Sequence, residues 1–198
     1  MQGRRLSTGL VVLIVVGALA LLGFIYGAWY INVRNSLVTL DEQIDAAWSE
    51  IDNQLKRRSD LIPNLVATVK GFAAQEREVF IEIAEARAKL AGAQGVEETA
   101  RSYDQLQSAL SRLLVIVERY PELKSNQNFI RLQDELAGTE NRIAVARMRY
   151  NEQVRAFNTR IRRFPASVVA RNMGFTAREY FEIEEGAREV PEVDFTGS

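Results

Sequence analysis

The stretch that decides the fold is QNFIRLQDELAGTENRIAVARMRYNEQVRAFNTRIRRF, residues 127–164, in which a large apolar side chain recurs at every seventh position. The members of this row are Phe129, Leu136, Ile143, Tyr150, Phe157 and Phe164. Seven residues make about two turns of an α-helix, so the row lies along one helix face and is typical of coiled-coil-like packing. We predict one long helix that is stopped by Pro165 and needs other helices to cover its apolar face.

Helical spacing also marks the chain on both sides of this stretch. Toward the N-terminus, apolar residues three or four positions apart predict a helix from Leu37 to about Leu90, which Pro63 should kink or restart. Residues 91–95 (AGAQG) read as a connection, and a second helix is expected from Glu97 to Arg119. A short helix is expected at 166–173, with Gly174 as its terminating glycine.

These patterns together predict an all-α fold. Long apolar stripes joined by short connections can bury their faces only against one another. We therefore expect an antiparallel three- to four-helix bundle with long coiled-coil-like helices, preceded by an N-terminal transmembrane helix.

The transmembrane helix is predicted from LVVLIVVGALALLGFIYGAWYI, residues 10–31, which lie inside a stretch without charge from Leu6 to Val33. About 20 apolar residues suffice to span a bilayer as a helix. Gly23 and Gly27 form a GxxxG spacing, which favours either close helix–helix association or simple exposure to lipid. Arg4 and Arg5 precede the span, so the positive-inside rule favours a cytoplasmic N-terminus.

We expect three parts in the chain: a short flank and transmembrane helix at 1–33, the helical bundle at 34–174, and an acidic segment at 175–198. The last segment carries seven acidic residues between Glu179 and Phe195, with aromatic residues among them. It has two interpretations. It is either a partly ordered tail, or a strip anchored by aromatic residues such as Phe181 that docks on its own bundle or on a neighbouring subunit.

Composition argues against several classes of function. Basic and acidic residues number 25 and 26, which does not favour binding of nucleic acid. The chain has no histidine and no cysteine, so it lacks the most common general base and metal ligand as well as any thiolate. We expect no cofactor, no metal site and no catalytic residue, and hence a protein that is not an enzyme.

Two polar rows remain as candidate helix–helix or assembly contacts. Helical spacing places Gln133, Glu140 and Arg147 on one row beside the apolar face, and Asp60 with Asn64 on another. Paired carboxylates could serve acid–base chemistry, but a hydrogen-bonded polar belt that sets helix register is the preferred interpretation.

A short basic cluster follows along the first bundle helix. Lys56, Arg57 and Arg58 are adjacent, which is too short a run for a nucleic-acid patch. Salt bridges within the bundle or contacts with lipid headgroups are the two interpretations we retain.

Two long segments also resemble a known family. The runs AWSEIDNQLKRRSDLIPNLVATVKGF (47–72) and NFIRLQDELAGTENRIAVARMRYNEQVRAFN (128–158), followed by Phe164-Pro165, are similar to those of the LemA family. The resemblance extends from about Val11 to Phe181. It implies a bacterial single-pass membrane protein with an antiparallel helical bundle and no established enzyme activity. The family's relatives include a magnetosome membrane protein, and this implies a role in membrane organisation.

The leading functional hypothesis is a non-enzymatic, membrane-anchored scaffold that self-assembles and presents helical surfaces to partners. Its expected partners are the lipid bilayer, further copies of the chain and other membrane proteins, but no nucleic acid. We expect it in the bacterial inner membrane, with the bundle on the periplasmic or extracellular side. The alternative is a sensor or receptor module whose bundle binds a small ligand or a partner protein.

Overall fold

A computed structural model describes residues 8–182, and the regular structure in this range is entirely α-helical. The helices are α1 (Thr8–Lys70), α2 (Arg77–Gly92), α3 (Gly95–Val117), α4 (Pro121–Lys124), α5 (Gln127–Arg162) and α6 (Ala166–Asn172). The predicted all-α class is confirmed. Arg4 and Arg5, on which the orientation prediction depends, lie outside the described residues, as does most of the acidic C-terminal segment.

The first bundle helix was predicted to reach Leu90, and this is wrong, because α1 ends at Lys70 and α2 begins only at Arg77. The chain turns at Gly71–Glu76, where the amides of Phe72 and Ala73 both bond to the carbonyl of Val69. Pro63, by contrast, does not end α1. A proline lacks the amide hydrogen that would bond to the carbonyl four residues earlier, here that of Ser59. The Nε of Arg87 in α2 donates to this carbonyl instead, at 3.0 Å.

The chain divides into two compact units, and the division falls within α1 and α5. Unit 1 takes its described residues from Met1–Asp45 and Gln153–Arg178, and unit 2 from Ala46–Glu152 and Glu179–Ser198. In unit 2, α1 and α5 run antiparallel, because Trp48 contacts Tyr150 while Arg58 bonds to the carbonyl of Leu136. Helices α1, α2, α3 and α5 all contribute to its core. Its fully buried residues include Ile51, Ile62, Leu65, Val69, Ile83, Leu106, Leu113, Phe129 and Ile143.

In unit 1, the short helix α6 packs on α1. Their shared apolar cluster contains Val33 and Leu37 from α1 and Ala166, Val169 and Ala170 from α6. Helix α6 ends as predicted at Gly174, whose φ of 74° suits a residue without a side chain. The amide of Phe175 donates to the carbonyl of Ala170, and the amide of Gly174 donates to the carbonyl of Arg171. These two bonds form a Schellman motif, a common way to end a helix. Phe175 then meets Phe157 edge to face at 5.4 Å.

The seven-residue row behaves as predicted through five of its six members. Phe129, Leu136, Ile143, Tyr150 and Phe157 are all buried. Phe164 departs from the pattern, since 82% of its surface is exposed. The reason is that α5 ends at Arg162, so Phe164 lies in the turn before Pro165 and no longer follows the helical phase.

The packing of α6 on α1 can be tested by substitutions at two neighbouring residues of α1, Leu37 and Val38. Leu37 is fully buried in the shared cluster, whereas 39% of Val38 is exposed. We expect Leu37→Ala to lower the free energy of unfolding by about 2–5 kcal/mol, because it leaves a cavity, and Val38→Ala to change it by no more than about 0.5 kcal/mol. Thermal unfolding of the full chain in mild detergent measures both. Equal effects of the two substitutions would contradict the observed packing.

Candidate functional site: a buried arginine cluster

A charged cluster lies inside unit 2, where α1, α3 and α5 meet. Its centre is Arg58, of which only 5% is exposed. One terminal nitrogen of its guanidinium, Nη1, lies 2.9 Å from a carboxylate oxygen of Glu140 and donates to the carbonyl of Leu136 at 3.0 Å. The other, Nη2, donates to Oε1 of Gln107 at 2.5 Å. One side chain from α1 is therefore bonded to both α3 and α5.

Two hydroxyl groups complete this cluster. Tyr103 of α3 donates to Glu140 at 2.6 Å, and its ring lies beneath the Arg58 guanidinium, 5.9 Å from the ring centroid. Thr139 donates to the carbonyl of Leu136 at 2.7 Å. The Arg58 cluster, meaning Arg58, Tyr103, Gln107, Thr139 and Glu140, thus combines an ion pair, hydrogen bonds to charged groups and a cation–π contact.

The apolar register of α1 explains why an arginine lies in the core. Buried positions recur along α1 at Ile51, Leu55, Ile62, Leu65 and Val69. The gap between Leu55 and Ile62 requires one more inward position at 58, three residues after the first and four before the second. The residues Lys56, Arg57 and Arg58 were read as one basic cluster, but they diverge, since Lys56 and Arg57 are exposed. The register of the stripe was the signal that could have singled out Arg58.

Burial and hydrogen bonding keep the hydroxyl group of Tyr103 protonated. Burial raises the pKa of Tyr103 well above the ordinary 10.0, and the hydrogen bond to Glu140 raises it further, while the charges of Arg58 and Arg147 oppose the increase. The hydroxyl therefore stays protonated and remains a donor to Glu140. A general acid or base works best with a pKa close to the operating pH, and Tyr103 is shifted away from that range. The arrangement suits positioning of helices better than proton transfer.

A small groove opens beside the Arg58 cluster. Its cavity volume is about 250 Å³, and its walls are mainly leucine side chains from α1, α3 and α5. Arg58, Gln107 and Glu140 form its polar end, and Gln133 also lines it. Ligand pockets usually measure about 300–1,000 Å³, so this groove lies below that range.

The predicted polar rows are placed as follows. Glu140 belongs to the Arg58 cluster, and Gln133 lines the groove next to it. Arg147 is half-buried, and its positive charge lowers the pKa of Tyr103. Asp60 is exposed and lines a second groove, between α1, α2 and α3. Asn64 is exposed as well, and its backbone carbonyl accepts a bond from Thr68. The structure thus brings Gln133 and Glu140 to one site but not Asp60 or Asn64.

The beginning of the acidic C-terminal segment docks on unit 2 through Phe181. Its ring is 1% exposed and lies 5.9 Å from the ring of Trp48. Asn151 of α5 bonds to both polar groups of the Phe181 backbone, accepting from its amide at 2.9 Å and donating to its carbonyl at 3.1 Å. The Tyr150 hydroxyl donates to the carbonyl of Glu179. Through residue 182, the segment follows the interpretation that places Phe181 on its own bundle.

A second asparagine makes the same pair of bonds within unit 1. Asn158 accepts from the amide of Arg178 at 2.8 Å and donates to its carbonyl at 2.9 Å. The side chain of Arg178 bonds to Asp41 at 2.7 and 2.9 Å, and it lies 3.3 Å from Asp45. Sequence reasoning missed both asparagines, because their partners are backbone groups of a distant segment without regular structure.

Gly23 and Gly27, the candidate contacts in the membrane span, lie in α1 with open space around them. A Cβ atom placed on either glycine would meet nothing within 4 Å among the described residues. One helix of residues 8–182 is long and apolar enough to cross a membrane, and its apolar window is not buried. Within the same residues, no group of three acidic side chains lies together in a way that could hold a metal ion.

These features define a class: an all-α, membrane-associated protein with one apolar N-terminal helix that fits a single membrane span. The chain belongs to the LemA family, whose family model matches residues 47–195. It is 28% identical to magnetosome protein MamQ 2 of Paramagnetospirillum magneticum, in an alignment covering 95% of this chain and 78% of that protein. It is 27% identical to MamQ of Magnetospirillum gryphiswaldense over the same shares. Protein LemA of Metamycoplasma hominis is 26% identical over 83% of this chain and 74% of its own length.

Removal of the guanidinium of Arg58 tests how far the cluster stabilises the fold. We expect Arg58→Met to lower the free energy of unfolding by about 2–3 kcal/mol, because Glu140, Gln107 and the Leu136 carbonyl lose a charged partner. Arg57→Met, at the exposed neighbouring position, should change it by no more than about 0.5 kcal/mol. Urea unfolding followed by circular dichroism measures both. Equal midpoints for the two variants would show that the cluster has no stabilising role.

The pKa of Tyr103 predicts a loss of stability at alkaline pH. Below the ordinary pKa of 10.0, the hydroxyl is protonated in both the folded and the unfolded chain. Above it, the unfolded chain releases the proton while the folded chain keeps it, so unfolding becomes progressively more favourable. We expect Tyr103→Phe to reduce this loss, as measured by urea midpoints below and above pH 10.0. The other tyrosines are present in both proteins, so identical pH slopes would contradict the prediction.

Proposed function

We propose that this protein is a non-enzymatic, membrane-anchored scaffold that self-assembles in the plane of the membrane and presents helical surfaces to partner proteins. The observation that carries the proposal is the exposed small-residue face of α1 at Gly23 and Gly27. Without side chains at these positions, a second helix can approach the backbone closely, and such spacing is typical of associating membrane helices. Closed assembly through one such face gives a two-fold or a cyclic oligomer.

A second surface that supports self-assembly lies on α5 within unit 2. Helical spacing places Ile130, Ala137, Ala144, Val145 and Met148 on one side of this helix, which we call the outer face of α5. All five residues are exposed, and Met148 is exposed by 55% of its surface. Small and apolar residues in a row on a solvent-facing helix favour packing of another helix. Ile130, Ala137 and Ala144 directly follow members of the buried seven-residue row, so the outer face lies beside that row and is turned toward solvent.

The Arg58 cluster also supports a scaffold over an enzyme. Its ion pair joins α1 to α5, and the neutral side chains of Gln107 and Tyr103 bond the two charged groups to α3. Tyr103 is held in its protonated form, so the site fixes geometry and has no group poised to react. The alternative of a small-ligand sensor rests on the groove of about 250 Å³ beside this cluster. That volume lies below the usual range for ligand pockets, so this groove does not favour a sensor over the scaffold.

The relatives support a function at a membrane. Three of them are named magnetosome proteins and one is named LemA. From these relatives we infer only one property for this protein, a role in membrane organisation. The proposed location is the bacterial inner membrane, with the N-terminus in the cytoplasm and the helical bundle in the periplasm or outside the cell.

Self-assembly is tested by native mass spectrometry of the full chain released from lipid nanodiscs. We expect masses that are multiples of the 22.4 kDa of one chain. Gly23→Leu should shift the distribution toward the single chain, because a leucine keeps the two helices apart. Met148→Asp should do the same, because it places a charge in the outer face of α5.

Each variant has a matched control in the same chain. Gly17 lies in α1 with nothing within 4 Å of a Cβ atom, as at Gly23, but outside the GxxxG spacing. Ile81 in α2 is 56% exposed, almost the same as Met148. Gly17→Leu and Ile81→Asp should leave the mass distribution unchanged. A wild-type chain that is strictly monomeric at the densities found in membranes would overturn the proposal.

A further inference from the structure

The part of unit 1 contributed by Gln153–Arg178 has an unusual charge. It contains six arginines and no aspartate or glutamate, although the whole chain is almost neutral. Arg178 pairs with Asp41, whereas the other five are exposed, and none of them forms an ion pair with a residue in the range 8–182. These five are Arg155, Arg160, Arg162, Arg163 and Arg171. A concentration of uncompensated positive charge calls for an anionic partner.

Within the same unit, α6 is held next to the end of the membrane span. It packs on Val33 and Leu37 of α1, and Trp29 and Tyr30 contact the same apolar cluster. Arg34 is the first charged residue after the span. Tryptophan and tyrosine at the end of a membrane helix prefer the depth of the lipid headgroups. Since α6 shares the apolar cluster against which these two rings pack, we expect it close to the depth of the headgroups as well.

Exposed apolar side chains accompany the arginines at this level. Phe164, in the turn between α5 and α6, is 82% exposed, and Val168 of α6 is 38% exposed. Because Phe164 stays in water, it contributes none of the stabilisation that burial of a phenylalanine side chain would supply. Arginines beside an exposed aromatic residue are typical of surfaces that enter the interface of an anionic bilayer.

We propose that the corner between α5 and α6 is a second membrane contact, distinct from the transmembrane helix. We call it the α5–α6 corner and define it by Arg160, Arg162, Arg163, Phe164, Val168 and Arg171. Phe164 enters the interfacial layer of the leaflet from which α1 emerges, and the arginines bind the phosphates of anionic phospholipids. The lipid bilayer is the occupant that the observations favour, because α6 packs on α1 just after the membrane span, in a cluster against which Trp29 and Tyr30 also pack.

The absence of cysteine from the chain allows a clean test with a single fluorescent probe. The full-length Val168→Cys variant is labelled with bimane and reconstituted in two kinds of nanodisc. One contains phosphatidylcholine alone, and the other contains phosphatidylcholine with phosphatidylglycerol. We expect a blue shift of the emission and a loss of quenching by acrylamide, both larger with phosphatidylglycerol. The control is the same label at Ile81, an exposed aliphatic residue of α2 that has Glu78, Glu82 and Glu85 nearby in sequence. Its emission should remain that of a probe in water in both lipids.

Two further changes in the labelled Val168→Cys protein separate the apolar from the ionic part of the contact. Phe164→Ser should restore quenching in both lipids, because the inserted ring is lost. Arg162→Gln with Arg163→Gln should reduce the difference between the two lipids by about 25-fold in the binding equilibrium of the corner, since each arginine near an anionic surface contributes about fivefold and Arg160 and Arg171 remain. All four residues, Arg162, Arg163, Phe164 and Val168, are exposed, so circular dichroism should show an unchanged fold.

Three results would overturn the proposal. A probe at Val168 that is fully quenched in both lipids would show that the α5–α6 corner stays in water. Equal shielding in the two lipids would remove the assignment to anionic headgroups. Shielding that appears only when a nanodisc holds more than one copy would assign the corner to a contact between copies of the chain, a result that leaves the scaffold proposal standing.

Discussion

The guanidinium of Arg58 is the group on which the structure of unit 2 depends. Burial of an unpaired charge costs several kcal/mol, so this position is tolerated only because Glu140, Gln107 and the Leu136 carbonyl are all within bonding distance. Those groups belong to α3 and α5, and the bonds therefore require one axial position of each helix relative to α1. Apolar residues alone tolerate a sliding of helices far better than a fixed set of hydrogen bonds does.

The segment after α6 is held in place by a different interaction, hydrogen bonds between asparagine side chains and its backbone. An asparagine side chain carries one acceptor and one donor, which match the amide and the carbonyl of a single residue. Asn151 uses this match for Phe181 in unit 2, and Asn158 uses it for Arg178 in unit 1. Backbone groups in a segment without helix or strand would otherwise remain unpaired at these buried or half-buried positions. The two asparagines replace the hydrogen bonds that regular secondary structure would supply.

Much of the helical architecture could be predicted from the sequence, because helix periodicity is a local property. The seven-residue row correctly identified the buried side of α5 from Phe129 to Phe157, and Gly174 correctly marked the end of α6. Of the two outcomes expected at Pro63, a kink or a new helix, the second does not occur, because a distant group offsets the local signal. Pro63 removes a hydrogen bond from α1, but Arg87 in another helix supplies a replacement, so the helix continues.

The sequence by itself determined the apolar span and the helical class, because both follow from spacing along one helix. The stripe of α1 also marks position 58 as inward, which the interpretation of residues 56–58 as one basic cluster missed. Only the tertiary structure decided which groups pair with Arg58, since that depends on the turn at Gly71–Glu76 and on the axial positions of three helices. It also decided the opposite environments of two phenylalanines, one at the end of the seven-residue row and one in the acidic segment. Phe181 is buried because Asn151 holds its backbone, and Phe164 is exposed because α5 ends two residues before it.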